Sequence, residues 1–541
     1  MKTSLLVLCA AAIVATPPLQ AQELSDWRED LRVLSTELPV RHKNAFARIT
    51  SAQWTAAVNS LDARLPQLKR HEIIVEFMRL VAMVRDGHTA FAPEFDERVG
   101  FHRLPIQLYD FKDGLFIVSA DSAHRDIVGA KVTMIGPSPV DAAVQAVSRI
   151  ISNESPNWVR ARAASLLAIP EVLAALGIGR DTLTAEFTIE LDGGQKRSVV
   201  LTGAGSAAGN PHMAFAQQVD MRRATPGDDP LYMQHAEDPF WFTILPDRTL
   251  YIGYRAVVFF ANGMLNEEFF RRAFAAGDSA KIERVVLDIR NNGGGNNTLN
   301  RFLAKEIIRR PALDQANKCQ VLIGRGVFSA AQSLVNELDF YTGCTFVGEP
   351  TGNAPNQYGD ARPLELPRSH FRVLVSSLLW QSHNAADDRG WFQPDVYVET
   401  SSADYKAKQD PVLATALRRA SGPGLASRLE ASAESGDTVT LLSRIDGYRY
   451  NSENKYRDIE ADINAAGYQL LRDGNVPAAI GVFQMNVKLY PRSANVYDSL
   501  GEALERADKK EEAITNYRKA LSLNPDLRSS RDALRRLNAT P

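Results

Sequence analysis

The run Arg284-Val-Val-Leu-Asp-Ile-Arg290 is nearly continuous in apolar side chains and stops at Asn291-Asn-Gly-Gly-Gly295. A short run of this kind reads as a strand buried on both faces, and such strands need helices to cover them. The surrounding chain supplies the alternation. Thr249-Leu-Tyr-Ile-Gly-Tyr254 reads as a strand and residues 264–276 as a helix, and further strand–helix alternation continues to about 420. This pattern predicts an α/β domain with a largely parallel core. The three glycines after the strand permit a tight turn and leave successive backbone N–H groups without side-chain cover, which suits a plain turn or a nest for an anion. No Gly-Lys-Ser/Thr follows and the Gly-x-Gly-x-x-Gly spacing is missing, so neither a Walker loop nor a dinucleotide fingerprint is indicated.

A second feature lies 30 residues on. Val321-Leu-Ile ends an apolar run, Gly324-Arg-Gly turns the chain, and Ser329 precedes a helical pattern carried by Ala331, Leu334, Val335 and Leu338. Serine at a helix start is commonly an N-cap. The same place points N–H groups and the positive helix end at the hydroxyl, which suits a nucleophile whose product is an oxyanion. Gly-x-Ser-x-Gly is absent, which argues against an α/β-hydrolase.

The remainder of the 541 residues divides by pattern. Lys2, the apolar stretch Leu5 through Ala15 and the small-residue site Leu19-Gln20-Ala21 have the layout of a secretory signal peptide over 1–21, predicting a periplasmic or secreted protein. No later stretch is long and apolar enough to predict a membrane span. Residues 22–98 read as helical, with Trp27, Leu31, Leu34 and Leu38 at helical spacing, and end in the turn-prone Arg85-Asp-Gly-His88-Thr. Residues 99–205 read as a small β domain with a helical excursion near 141–178, and 206–235 as a linker. The α/β domain spans 236–420, a second linker 421–454, and a helical tail 455–541. In that tail, residues 460–493 align with 494–527 at an offset of 34, pairing Gly467 with Gly501, Phe483 with Tyr517 and Pro491 with Pro525. That period and chemistry match tetratricopeptide architecture and predict a module for a protein partner or self-association, or a stabilising cap. Of the mature chain's cysteines, Cys319 and Cys344 each open an apolar strand-like run flanking one helix. Side-by-side parallel strands would bring them together for a disulfide, and two buried thiols are the alternative. A formal charge of −2 gives no nucleic-acid footprint, and no His-Glu-x-x-His or paired-Cys motif asks for a metal or other cofactor.

Asp288–Gly295 resembles the Asp-x-Arg-x-Asn-x-Gly-Gly signature of the tail-specific (C-terminal processing) peptidase family. Phe328-Ser-Ala-Ala resembles its nucleophile segment, and Gly348-Glu-Pro-Thr-Gly the following strand and loop. Arg85-Asp-Gly-His-Thr is similar to the end of the helical region in the branch nearer the tricorn protease core and interphotoreceptor retinoid-binding protein. The resemblance covers roughly 25–420. It implies a crotonase-like (ββα) catalytic core, with the β domain, residues 101–147 above all, as a PDZ-like insert. It implies Ser329 as nucleophile, with N–H groups of Gly293 or Gly294 and of Ala330 holding the oxyanion. The family's Ser-Lys dyad is ruled out, because Ala354 stands where its lysine belongs and the first later lysine is Lys406.

The tricorn-like branch implies His88 as base and Asp388, placed by Pro394-Asp395, as the acid orienting it, where the family has Glu; Asp387 is the fallback and His383 a competing base. The activity so implied is that of an exported serine peptidase acting on peptides or unfolded protein. Gly87 and Gln332 depart from the family pattern and favour an alternative, a non-catalytic ligand- or peptide-binding protein on the same fold.

Overall fold

The computed structural model describes residues 21–92, 96–208, 218–381, 385–421 and 424–540, so residues 1–20 of the stretch 1–21 expected to be a signal peptide, and His383, lie outside the described residues. The chain forms two units. One comprises residues up to 226 together with 356–381 and 385–388, the other 227–355 and 389 onward.

The first unit begins with the helices Ala21–Arg41, Ser51–Arg64 and Arg70–Ala82. Thr50 starts the second as half of a capping box with Gln53, each satisfying a backbone N–H of the other. Trp27, Leu31, Leu34 and Leu38 line the buried stripe of the first, and the third is so apolar that eight of its thirteen residues are buried. A seven-stranded antiparallel sheet follows, with central order Ile106–Phe111, Gly114–Ala120, Lys131–Ile135, Thr184–Glu190 and Lys196–Thr202. Strict alternation in Thr184–Glu190 buries Ala185, Phe187 and Ile189 and turns their neighbours outward. The helical excursion is present as Val140–Ser148, Pro156–Leu166 and Pro170–Ala175.

A hairpin from far down the chain completes this unit. Gln357–Glu365 and Arg372–Trp380 pair antiparallel, and Ala90 exchanges both backbone hydrogen bonds with Leu374. Phe371, Val373 and Val375 share the core of Trp27 and Phe77, with the Phe371 ring 5.6 Å from Phe91. Sequence alternation places residues 357–380 in the α/β domain. The structure groups them with the N-terminal helices, because their buried side chains complete that core.

The second unit holds the sheet expected from the Arg284 run. Its order is Phe240–Ile244, Thr249–Tyr254, Arg284–Asp288, Cys319–Ile323, Thr345–Gly348 and Val396–Tyr397, antiparallel at the first pair and parallel thereafter. Val285, Leu287, Val321 and Ile323 pack into one apolar layer, Val286, Leu322 and Val347 into another, as strands buried on both faces must. Gln320 pairs with Thr345, which sets Cys319 opposite Cys344, and a disulfide joins them.

The tail forms helices Ile459–Arg472, Val476–Leu489, Ala494–Arg506, Lys510–Leu523 and Arg528–Arg536. Gly467 lies against the Phe483 ring and Gly501 against the Tyr517 ring so closely that a Cβ would come within 2.5 and 2.8 Å of them. The small-against-large pairing read at the 34-residue offset is thus a pair of equivalent helix contacts. Residues 421–454, expected to be a linker, instead carry helices Leu425–Glu434 and Thr438–Arg449. Leu429, Leu441 and Ile445 of these helices join the tail's core. In 206–235 the described residues form a short strand, Val219–Asp220, added to the antiparallel sheet, and a single helical turn, Leu231–Met233. No helix among the described residues is long and apolar enough to cross a membrane.

The disulfide closes a loop with a sequence separation of 25 residues. Replacing Cys319 and Cys344 together by serine is expected to lower the unfolding free energy by about 3 kcal/mol, read from urea midpoints at constant slope. Equal midpoints in the two proteins would contradict the pairing.

Candidate functional site

In the second unit the ends of two neighbouring parallel strands meet. Asp288 closes the strand Arg284–Asp288; its carboxylate accepts the Tyr251 hydroxyl at 2.6 Å and Arg290 Nε at 3.0 Å. Arg290 then reaches Asp410 with two parallel 2.9 Å bonds, and Asp410 caps the helix beginning at Pro411 through the N–H groups of Val412 and Leu413. A bidentate guanidinium–carboxylate pair with so little exposure fixes direction as well as distance. It anchors the strand end from which the glycine loop departs.

Asn292 shapes that loop. Fully buried, it donates to the Tyr254 carbonyl at 3.0 Å and accepts the Gly294 N–H at 2.9 Å, while its own carbonyl accepts the Phe328 N–H at 3.2 Å. Gly294 has φ 104°, and a Cβ there would come within 2.6 Å of the Ser329 Cβ and 2.8 Å of the Ala330 nitrogen. Only glycine fits this position, for backbone and for space.

Ser329 is the first residue of the following turn and has φ 54° and ψ −125°, a conformation that L-residues rarely adopt. It holds the cap position of helix Ala330–Tyr341, yet its side chain makes no capping bond. The ordinary reason for a serine at a helix start therefore does not apply. Its strained backbone is held from two sides. The Ser329 N–H donates to Asn353 Oδ1 at 2.8 Å, and Asn353 is fully buried, its own carbonyl accepting the Thr351 hydroxyl. The Ser329 carbonyl accepts the Ser333 N–H in the first helical turn. Strain kept by such over-determination clusters at functional sites and points from geometry to chemistry.

Of the three residues expected to offer oxyanion N–H groups, Gly294 has its N–H turned to the Asn292 side chain. No hydrogen bond among the described residues engages the N–H of Gly293 or of Ala330, and Ala330 sits at the positive end of its helix. Gln332, fully buried, gives its amide to Asn336 Oδ1 at 2.9 Å.

His88 belongs to the first unit. The helix Arg70–Ala82 ends, Arg85 turns the chain with φ 58°, and residues 86–89 form a tight turn pinned by the Ala90–Leu374 bridge and by Ser376 N–H to Thr89 Oγ1 at 3.0 Å. The Asp86 carboxylate, 2% exposed, accepts the His88 N–H and His42 Nε2, both at 3.0 Å. His42 Nδ1 in turn accepts the Asn44 N–H at 2.9 Å, so its ring proton sits on Nε2, where it can donate to Asp86. Burial works to raise the Asp86 pKa, but the His42 hydrogen bond and the nearby His88 ring overcome it and hold the carboxyl at about 2. Burial pushes the His88 imidazole below its ordinary value, against the pull of the Asp86 and Asp360 charges. A histidine neutral at physiological pH is the protonation state a general base requires.

Asp388, expected to orient His88, is exposed, and the carboxylates whose charge reaches the ring are Asp86 and Asp360. Asp360 lies on the hairpin and accepts Trp380 Nε1 at 2.6 Å. Asp387 is half-buried and its carbonyl accepts Asn356 Nδ2. Asp86 and Asn353 are contributors that the sequence reading does not single out, whereas Asn292 is the Asn of the signature over 288–295. Asp86 stands two residues before His88, in the motif already singled out, so its position was the available signal. Nothing local marks Asn353.

Two substitutions test the serine turn. Gly294→Ala is expected to lose at least about 2 kcal/mol of stability, from the left-handed backbone and the clash with Ser329. Asn353→Ala leaves the half-buried Ser329 N–H without its acceptor and is expected to cost about 1–2 kcal/mol. Urea unfolding checks both, and a Gly294→Ala protein as stable as wild type would contradict the close approach.

No family model matches the chain, and no curated protein matches it. Among solved structures, mature CPAF complexed with lactacystin aligns at 14% identity over 73% of this chain and 98% of that one, with a TM-score of 0.51. A serine-to-alanine mutant of CPAF aligns at 13% identity over 73% and 97%, with a TM-score of 0.53. A looser likeness, at a TM-score of 0.32, is to the photosystem II D1 C-terminal processing protease, with 15% identity over 70% of this chain and 94% of that one. The chain is similar to CPAF in fold.

Proposed function

We propose that the chain is a serine peptidase in which Ser329 is the nucleophile and His88 its general base. The observation that carries this reading is the state of Ser329: a strained residue between a parallel strand and a helix, pressed on its Cβ side by Gly294, with a hydroxyl that does not cap the helix it begins. In the proposed reaction His88 takes the hydroxyl proton as Ser329 Oγ attacks the scissile carbonyl. The oxyanion is stabilised by the N–H groups of Gly293 and Ala330. His88 then returns the proton to the leaving amine, the C–N bond breaks and an acyl-enzyme forms. Water, deprotonated by His88, attacks the ester and releases the carboxylic acid, restoring the serine hydroxyl. Asp86, buried and bonded to the backbone of His88, is the carboxylate proposed to orient it, in place of the exposed Asp388.

The finer organisation belongs to the same proposal. The antiparallel sheet serves as a PDZ-like insert that presents the peptide, the α/β unit as a crotonase-like core, and the 34-residue helix pairs as tetratricopeptide repeats for a protein partner or self-association. The apolar leader over 1–21 directs export, and the Cys319–Cys344 disulfide is of the kind that oxidising compartments sustain.

Hydrolysis of an unfolded polypeptide is the test. Ser329→Ala and His88→Ala are each expected to lower kcat/KM by roughly 10³-fold or more. Because burial lowers the His88 pKa, activity is expected to persist as pH falls and to decline only below the ordinary imidazole range of about 6.5. Turnover unaffected by Ser329→Ala would overturn the proposal and leave a carrier on the same fold as the better reading.

A further inference from the structure

The turn that carries His88 is held by two carboxyl groups, and only one of them is expected to be charged. On one side Asp86 accepts the His88 N–H. On the other, Glu154 Oε2 accepts the Gly87 N–H at 2.6 Å. Glu154 is distant in sequence. It stands just ahead of Ser155, which caps helix Pro156–Leu166, so a rigid element delivers it to the turn. It is 8% exposed and Asp86 2%, so neither side chain can swing into water without opening the pocket. Successive backbone amides, those of Gly87 and His88, are thereby fixed by side chains from outside the turn's own hydrogen bonds.

We propose that Glu154 is a positioning residue for His88, fixing the 86–89 turn through the Gly87 amide while Asp86 fixes it through the His88 amide. This rests on the reading of His88 as the base. The two carboxyls divide the charge between them. Asp86 has the His42 Nε2–H and the His88 ring to stabilise its anion. Glu154 is raised to about 8, first by burial and then by the Asp86 anion, with the Gly87 N–H and Arg48 opposing. Among the described residues, the charged groups that act on it include Asp86, on the turn it holds, and Arg48, on the segment between the first two helices. At neutral pH it holds the turn as an uncharged acid. Above that pH a second anion develops in a buried pocket that already contains one, and water must enter or the side chain must leave. Either event loosens the turn and the imidazole it carries.

A carboxyl whose pKa is raised from 4.5 in the unfolded chain to about 8 in the folded one binds more protons when folded, so its effect on stability declines as pH rises through that interval.

The full mature chain tests this with Glu154→Gln, which keeps an acceptor for Gly87 and cannot ionise, and Glu154→Ala, which removes the acceptor. At pH 7, Glu154→Ala is expected to lose about 10-fold or more in kcat/KM for polypeptide hydrolysis, with Glu154→Gln recovering most of that loss. From pH 7 to 9 wild type is expected to decline with a midpoint near 8, and Glu154→Gln to show no such decline. An unchanged alkaline midpoint in Glu154→Gln, or a Glu154→Ala protein equal to wild type at pH 7, overturns the proposal. Melting temperature supplies a reading independent of turnover: between pH 5 and pH 8 (about the interval of the shift), wild type is expected to lose stability relative to Glu154→Gln. If wild type has no Ser329-dependent turnover, the function proposed above falls. Parallel melting curves for the two proteins would then dismiss the Glu154 clamp on their own, and divergent ones support it.

Discussion

A glycine backbone pressed against a serine side chain is the contact on which the second unit's chemistry depends. Gly294 and Ser329 come from the ends of neighbouring parallel strands, and parallel pairing brings those ends to the same side of the sheet. Every surrounding interaction maintains that approach. Arg290 anchors the first strand end to the helix at Asp410, Asn292 curls the glycine loop, and the Asn292 carbonyl ties it to Phe328, one residue before the serine. Asn353 then holds the serine N–H from the next loop. A left-handed, non-glycine residue costs about 1–3 kcal/mol, and these buried bonds are what keep it in place.

The first unit solves a related problem with other groups. Its task is to hold a histidine in a turn after a helix, where the Gly87 and His88 amides are taken by side chains. Asp86 accepts the His88 amide and Glu154 the Gly87 amide, and the long hairpin from residues 357–380 braces the turn through Ala90 and Thr89. One carboxyl is kept ionised by His42 and the other neutral by burial.

Much of this was legible in the sequence, for reasons that are local. Runs such as Val285-Val-Leu287 and Val321-Leu-Ile323 are apolar without alternation, which only doubly covered strands tolerate. The 34-residue offset that pairs Gly467 with Gly501 marks two equivalent close helix contacts. Residues 421–454 read as a linker in sequence because helix Leu425–Glu434 is built mainly from alanine, serine and polar residues. Its buried positions Ala426, Leu429 and Ala433 did keep helical spacing. The hairpin 357–380 was assigned to the wrong unit because strand pattern says nothing about which core a strand completes. Glu154 and Asn353 were invisible for the same reason: each acts on a backbone amide far away in sequence. Asp388 was chosen by alignment to a later Pro-Asp pair, and the structure leaves it exposed while placing Asp86 and Asp360 where their charge reaches the ring.

The central claim is that the Ser329 hydroxyl is a nucleophile and not a cap. Its most direct test is to treat the folded protein with a fluorophosphonate and locate the adduct by peptide mass spectrometry. The account predicts a single stoichiometric modification on the peptide containing Ser329, formed rapidly in wild type, slowed in His88→Ala and absent after unfolding. A folded protein that stays unmodified, or that carries the label on another serine, would contradict it.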